Sequence, residues 1–168
     1  NPNYETAENA CVLTVNPAPV TVTADNKTKT FGDADPELTV TVSGLVNGES
    51  TDLITSTISR EAGETVEDSP YTITPAGEAT QGNYTVEYKT GTLTITKAPA
   101  SQLGLSAEGY EGVYDGSSHA ASASVTVTEG TTIEYSTDGG ETWSTAAPSI
   151  KDVGEQSVQV RATNPNYE

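Results

Sequence analysis

The same words recur along this chain at a fixed spacing, and internal repetition constrains a fold more than any local pattern does, because each copy is one structural unit. Asn3-Tyr4 is followed by Leu13-Thr14-Val15 and Ala18-Pro19. Asn83-Tyr84 is followed by Leu93-Thr94-Ile95 and Ala98-Pro99, and every matched pair stands 80 positions apart with no gap. A third copy opens at Asn166-Tyr167, 83 positions beyond Asn83, and the pentapeptide Asn-Pro-Asn-Tyr-Glu occupies both 1–5 and 164–168. Phe31-Gly32-Asp33 and Tyr114-Asp115-Gly116 also correspond, each lying a short strand after an Ala-Pro linker. Residues 1–16 therefore read as the closing strand of a preceding repeat, 17–98 as a complete domain, and 99–168 as a second domain missing its last strand. Opening at Asn1-Pro2-Asn3-Tyr4 without a charged-then-apolar leader, the chain reads as the interior of something longer.

Composition predicts an all-β fold with thin cores. Apolar residues make up 33% of the 168 positions, fewer than a thick core requires. Thr fills 28 positions, mostly alternating with Val, Ile or Leu, and a β-branched hydroxyl residue suits the wet face of a half-buried strand. Period-two alternation between turn residues places strands near Val20–Ala24, Leu38–Ser43, Ile54–Ser59, Tyr71–Pro75, Tyr84–Lys89 and Thr92–Thr96 in the first domain. In the second they fall near Leu103–Glu108, Ala121–Val127, Thr132–Ser136, Thr142–Ser144 and Ser157–Ala162. One helical turn is expected after Gly48, capped by Ser50 or Thr51.

The formal charge of −17, from 24 acidic and 7 basic residues, repels nucleic-acid phosphates and anionic lipid, so no nucleic-acid partner is expected. No stretch approaches the roughly 20 apolar residues of a membrane span, so direct membrane insertion is not expected either. The single Cys cannot close an internal disulfide, and each domain must rest on its own packing.

The run Val20–Ala24, then Thr30-Phe31-Gly32-Asp33-Ala34-Asp35-Pro36 and Val42-Ser43-Gly44-Leu45-Val46-Asn47-Gly48-Glu49, ending in Gly82-Asn83-Tyr84 and Leu93-Thr94-Ile95, resembles the MBG repeats of the Tyr-Gly-x type. Phe31 stands where that family usually has Tyr. The second unit, with Tyr114-Asp115-Gly116 and Val160-Arg161-Ala162-Thr163-Asn164-Pro165-Asn166-Tyr167, looks like the related Tyr-Asp-Gly repeats. The resemblance implies tandem domains of secreted or surface-anchored bacterial proteins. It implies a β-grasp-like first domain and a β-sandwich or β-grasp-like second one. It brings no catalytic residue, cofactor or ligand.

Candidate chemistry is sparse, and no enzyme is expected. Ser136-Thr137-Asp138-Gly139-Gly140-Glu141-Thr142-Trp143 fits the Asp-box pattern, a hairpin device in which Asp accepts turn N–H groups and the aromatic anchors the tip. One copy cannot build a propeller. His119 has no second His or Cys nearby and reads as a loop residue. Asp25, Asp33, Asp35 and Asp52 stand near turns, where carboxylates serve Ca²⁺, with Asp33 and Asp35 the candidates; their spacing matches no EF-hand loop. Lys27, Lys29, Lys89, Lys97 and Lys151 read as turn or outward residues, which leaves no buried Lys for a Lys–Asn isopeptide link.

Two function classes remain: a structural stalk on the bacterial surface or in a secreted protein, and an adhesive module that binds a host glycan or protein through Tyr110, Tyr114, Tyr135 and Trp143. The other expected partners are neighbouring repeats and further copies of the chain. Cys11, Leu13 and Val15 share one strand face and are expected to be covered. Burying them contributes about 1.5–3 kcal/mol each, comparable to the whole stability of a small domain. Asn16–Pro19 reach at most roughly 14 Å, against a domain about 30 Å across, so the strand is expected to close a neighbouring molecule and link copies head to tail.

Overall fold

The computed structural model describes residues 8–168. The first seven residues of the predicted closing strand lie outside the described residues. The all-β class holds: the described residues form strands and two 3₁₀ turns, and none of their helices is long and apolar enough to cross a membrane. They divide into two compact units. One comprises the described residues up to Asp25, with Leu38–Ser59 and Ile73–Gly91; the other comprises Asn26–Glu37, Arg60–Thr72 and Thr92–Glu168.

Among the described residues eight strands lie before Ala98-Pro99: β1 (Ala18–Ala24), β2 (Lys27–Thr30), β3 (Val40–Ser43), β4 (Thr57–Arg60), β5 (Tyr71–Ala76), β6 (Thr80–Gln81), β7 (Tyr84–Lys89) and β8 (Gly91–Thr96). In the first unit the sheet order is β3-β1-β7-β6. β1 runs antiparallel to β3 and parallel to β7, with Ala18 opposite Tyr84 and Thr23 opposite Lys89. Alternation along β1 and β7 puts Val20, Val22, Tyr84 and Val86 into one core with Ile54, and Ala18, Val40, Val42, Leu45 and Tyr88 pack around it. Tyr84 also ties down the loop after β3, since its hydroxyl accepts from Val46 N at 3.2 Å and donates to the Glu49 carboxylate. Gly44 leaves β3 at φ +100°, where a Cβ would stand 2.6 Å from the Pro19 carbonyl oxygen. The run Val42–Glu49 is thus a clamp between the start of β1 and Tyr84.

A second sheet has the order β2-β8-β5-β4. β2 pairs parallel with β8, from Lys27 opposite Leu93 to Thr30 opposite Thr96. Along β8, Gly91, Leu93 and Ile95 are buried, whereas Thr94 and Thr96 are exposed, which is the alternation its sequence predicts.

After the linker come β9 (Ser106–Glu108), β10 (His119–Ala120), β11 (Ser122–Ser124), β12 (Thr132–Ser136), β13 (Ser149–Ile150) and β14 (Gln159–Thr163). They form three antiparallel ladders, β9 with β11, β10 with β13, and β12 with β14. The linker between the repeats is part of the second unit's core. Ala98, Leu103 and Tyr167 are buried together, with Phe31, Val127 and Ala162 against them, and the Phe31 and Tyr167 rings meet edge to face at 5.5 Å. Ala98 pairs parallel with Tyr167, its N–H donating to Asn166 O at 3.0 Å and its carbonyl accepting from Glu168 N at 2.9 Å. Asn166 Oδ1 accepts from Val66 N at 2.9 Å.

Several expectations are corrected. β2 was not expected because Lys-Thr-Lys-Thr has no apolar residue to alternate. Lys29 is buried rather than outward, and salt bridges make that burial tolerable. His119 opens β10 rather than lying in a loop. Ile54 is the buried residue after a 3₁₀ turn, Thr51–Leu53, whose N-cap is Ser50, and the strand predicted from Ile54 begins at Thr57. Ala100–Leu103 is likewise a 3₁₀ turn, and Thr142–Ser144 makes one bridge rather than a strand. Cys11, Leu13 and Val15 are not covered: Cys11 is exposed and Leu13 and Val15 stand at 92% and 96% exposure, because no sheet among the described residues takes them.

Leu103→Ala removes the side chain filling the linker core. The expected loss is about 2–4 kcal/mol by urea unfolding, with faster amide exchange at Ala98 and Glu168.

Candidate functional site

The residues that carry chemistry fall into three places. The first surrounds Lys29. Its side chain is 5% exposed, a position that a lysine tolerates only when its charge is matched. Lys29 Nζ donates to Asp35 Oδ1 at 2.7 Å, Glu64 Oε2 at 2.5 Å and the Asp33 carbonyl at 3.1 Å. Arg60 binds the same two acids, with Nε 2.6 Å from Asp35 Oδ2 and Nη2 on Glu64, and Nη1 donates to the carbonyls of Glu61 and Gly63. Two cations thus face two carboxylates. The Arg60 guanidinium, then Lys29, holds the Asp35 carboxyl below its usual range, and Lys29, then Arg60, does the same for Glu64. Hydrogen bonds to Asp35 and Glu64 push Lys29 up, so it stays an ammonium and not a nucleophile. Of the Ca²⁺ candidates, Asp35 is held by these cations, and Asp33 contributes its carbonyl to Lys29. Among the described residues, no three His, Cys, Asp or Glu side chains group to hold a metal ion.

The second place is the hairpin between β12 and Trp143. Ser136, almost fully buried, donates to Asp138 Oδ1 at 2.6 Å and accepts from Gly140 N at 2.9 Å. Asp138 accepts from Thr142 N at 2.9 Å and from the Thr142 hydroxyl. These donors, Ser136 foremost, hold its carboxyl far below the usual range. Gly139 and Gly140 take φ of +79° and +95°, which the tight reversal requires. Trp143 Nε1 donates to Gly140 O at 3.0 Å, and the Arg161 guanidinium lies 4.3 Å over the ring while its Nε binds Glu134. The side-chain polar groups of Ser136, Asp138, Thr142 and Trp143 are all engaged in the turn's own hydrogen bonds.

The third place is a cleft of about 760 Å³ in the second repeat, lined by residues 107–115 together with Val153, Val158 and Val160 among others. Val113 and Val153 are 88% and 90% exposed. Tyr110 stacks face to face on His119 at 3.6 Å, and His119 Nε2 lies 3.0 Å from Asp115 Oδ1. Donation from Ser117 N, and then His119, lowers the Asp115 carboxyl. The four aromatic candidates do not converge. Tyr110 and Tyr114 line this cleft, whereas Tyr135 and Trp143 line a separate hollow of about 150 Å³. The repeat pattern signals the cleft only once the strands that close the first repeat are known.

The family model of the MBG domain, YGX type, matches residues 20–94. No curated protein and no solved structure matches the chain.

Two predictions follow from these geometries. Lys29→Met strands two carboxylates beside Arg60 and is expected to cost about 1–3 kcal/mol by urea unfolding. Because both acids have lowered folded pKa values, their contribution is full above about pH 4.5, the ordinary Glu value, and is lost as pH falls through the folded values. Lys29→Met should therefore flatten the acid limb of stability, and the intact mass should show no loss of ammonia or water. Asp138→Ala frees the hairpin tip, so the fluorescence of Trp143, the single tryptophan, should shift to the red, while the unsubstituted hairpin keeps its emission well below pH 3.8.

Proposed function

We propose that this chain, whose residues 20–94 belong to the MBG domain family of the YGX type, is a non-catalytic structural repeat of a bacterial surface or secreted protein, holding other domains at a distance. The observation that carries this reading is the linker. Ala98 is fully buried and bonded on both sides to the Asn166–Glu168 segment, and that segment reaches first-repeat residues through the Tyr167 ring on Phe31 and Asn166 Oδ1 on Val66 N, which is not the arrangement of a free tether. A linker of this kind transmits orientation, which a spacer needs and an isolated catalytic domain does not. The hairpin and the Lys29 cluster support the same view, since each spends its polar groups on its own turn or ion pairs. The adhesive alternative loses support from the separation of Tyr110 and Tyr114 from Tyr135 and Trp143.

Backbone ¹⁵N relaxation tests this reading. Order parameters across Lys97–Gln102 should match those of strands, about 0.85, and values under about 0.6 would sink it. Binding on a glycan array that Tyr114→Ala abolishes would favour the adhesive module instead.

A further inference from the structure

We propose that the first repeat is a load-bearing module, in which parallel ladders between its opening and closing strands resist tension applied along the chain. This rests on the spacer reading above and goes further, since a spacer can keep its shape without withstanding a pull. Three observations meet here. β1 pairs parallel with β7 from Ala18 opposite Tyr84 to Thr23 opposite Lys89, and β2 pairs parallel with β8 from Lys27 opposite Leu93 to Thr30 opposite Thr96. Every residue of both ladders thus faces the residue 66 positions later, so one register passes from β1 to β2 although the ladders belong to different sheets. Backbone bonds close both extremes of that register: Ala18 N donates to Asn83 O at 2.9 Å, and Phe31 N donates to Thr96 O at 2.8 Å.

Strand direction decides how a pull is felt. Tension along the chain enters this repeat at Ala18 and leaves it after Thr96. In the first ladder it enters at the N-terminal end of β1 and leaves from the C-terminal end of β7; in the second it enters at the N-terminal end of β2 and leaves from the C-terminal end of β8. Those are opposite ends of a parallel pair, so the pull runs along the strands and loads the hydrogen bonds of the ladder together. An antiparallel pair would present both loaded ends on one side, and its bonds would open one at a time. Load reaches β8 through β7 and through β2 alike, so the repeat gives way only when both ladders do.

Side chains oppose the slip that such a pull demands. Val20 and Val22 of β1 share a core with Tyr84 and Val86 of β7, and a shift of one residue would set the Thr residues of β1 where its valines pack. In β2 the buried residue is Lys29, opposite Ile95, and its ammonium donates to Asp35 and Glu64. Sliding β2 along β8 draws that charge away from its partners, which is costly for a buried ion. The next repeat opens in the same sense, with Ala98 parallel to Tyr167 and its N–H on Asn166 O at 3.0 Å, so tension leaving Thr96 meets a second parallel contact.

The test is single-molecule force spectroscopy of the 168-residue chain pulled in two directions. Cys11, the single cysteine, is exposed and precedes β1, so it carries one handle in both proteins. Lys97→Cys, at an exposed position directly after β8, carries the other handle for the end-to-end pull. Thr85→Cys, exposed on β7 opposite Pro19, carries it for a pull that peels β1 from β7 at one end. The ladders are the same in both proteins, and their urea midpoints should agree. At one loading rate the end-to-end unfolding force should exceed the peeling force about twofold or more, in a single step, because forced unfolding follows the unfolding rate rather than equilibrium stability. A smaller ratio overturns the proposal, and so does end-to-end unfolding in which one ladder opens well before the other. Neither result touches the order parameters across Lys97–Gln102, so failure here and failure of the spacer reading are told apart.

Discussion

Each repeat depends on one parallel β contact, between the residue that opens it and the Asn-Tyr word near its end. In the first repeat Ala18 lies opposite Tyr84, with Ala18 N bonded to Asn83 O; at the linker Ala98 lies opposite Tyr167, with Ala98 N bonded to Asn166 O. Parallel neighbours need a long crossover, and here the crossover is almost the whole repeat. The contact therefore holds the repeat's beginning against its end, and the next linker emerges from a fixed place. Ala suits that place because Ala98 is fully buried beside Leu103 and Tyr167, where a larger side chain would have to displace one of them.

Thin cores set the second constraint. With a third of its residues apolar, the chain buries one row of side chains along strands such as β5 and β8 and leaves their Thr residues largely wet, so stability must draw on side-chain bonding as well. Lys29 and Arg60 clamp Asp35 and Glu64, Arg161 joins Glu134 to the Trp143 face, and Tyr84 and Tyr71 use their hydroxyls on nearby loops. Three of the seven basic residues are spent on these contacts. In a chain of charge −17, that concentrates scarce cations at the places where carboxylates would otherwise repel one another.

What was legible in the sequence follows from how each element announces itself. β7 coincides with the predicted Tyr84–Lys89, and β12 with Thr132–Ser136, because both alternate cleanly between turn residues. β2 is hidden: Lys-Thr-Lys-Thr alternates without an apolar residue, and its inward position is a lysine whose acidic partners lie 6 and 35 residues away. No local pattern reports an ion pair across that separation. The Asp-box hairpin was readable because its bonding is confined to eight residues. Cys11, Leu13 and Val15 share a strand's parity in the sequence, yet they lie in no strand and are exposed, because alternation is silent about where a sheet comes from. The same holds for the cleft, whose lining combines residues 107–115 with Val158 and Val160, brought together only by the fold.

An exposed segment whose alternate residues Cys11, Leu13 and Val15 are apolar invites indiscriminate association. Two features of the chain oppose that. Like charges on every copy repel at long range and are overcome only where burial is extensive and the backbone hydrogen bonds are complete. The segment also alternates Val12 and Thr14 with Cys11, Leu13 and Val15, so only one parity is apolar throughout, and a sheet must meet it in the right register to cover it. A tandem array needs such discrimination. If every repeat begins with a linker bonded to its own Asn-Tyr word and ends with a strand that alternates in the same way, then neighbours in sequence find one another first, and identical strands can serve successive repeats without exchanging at random.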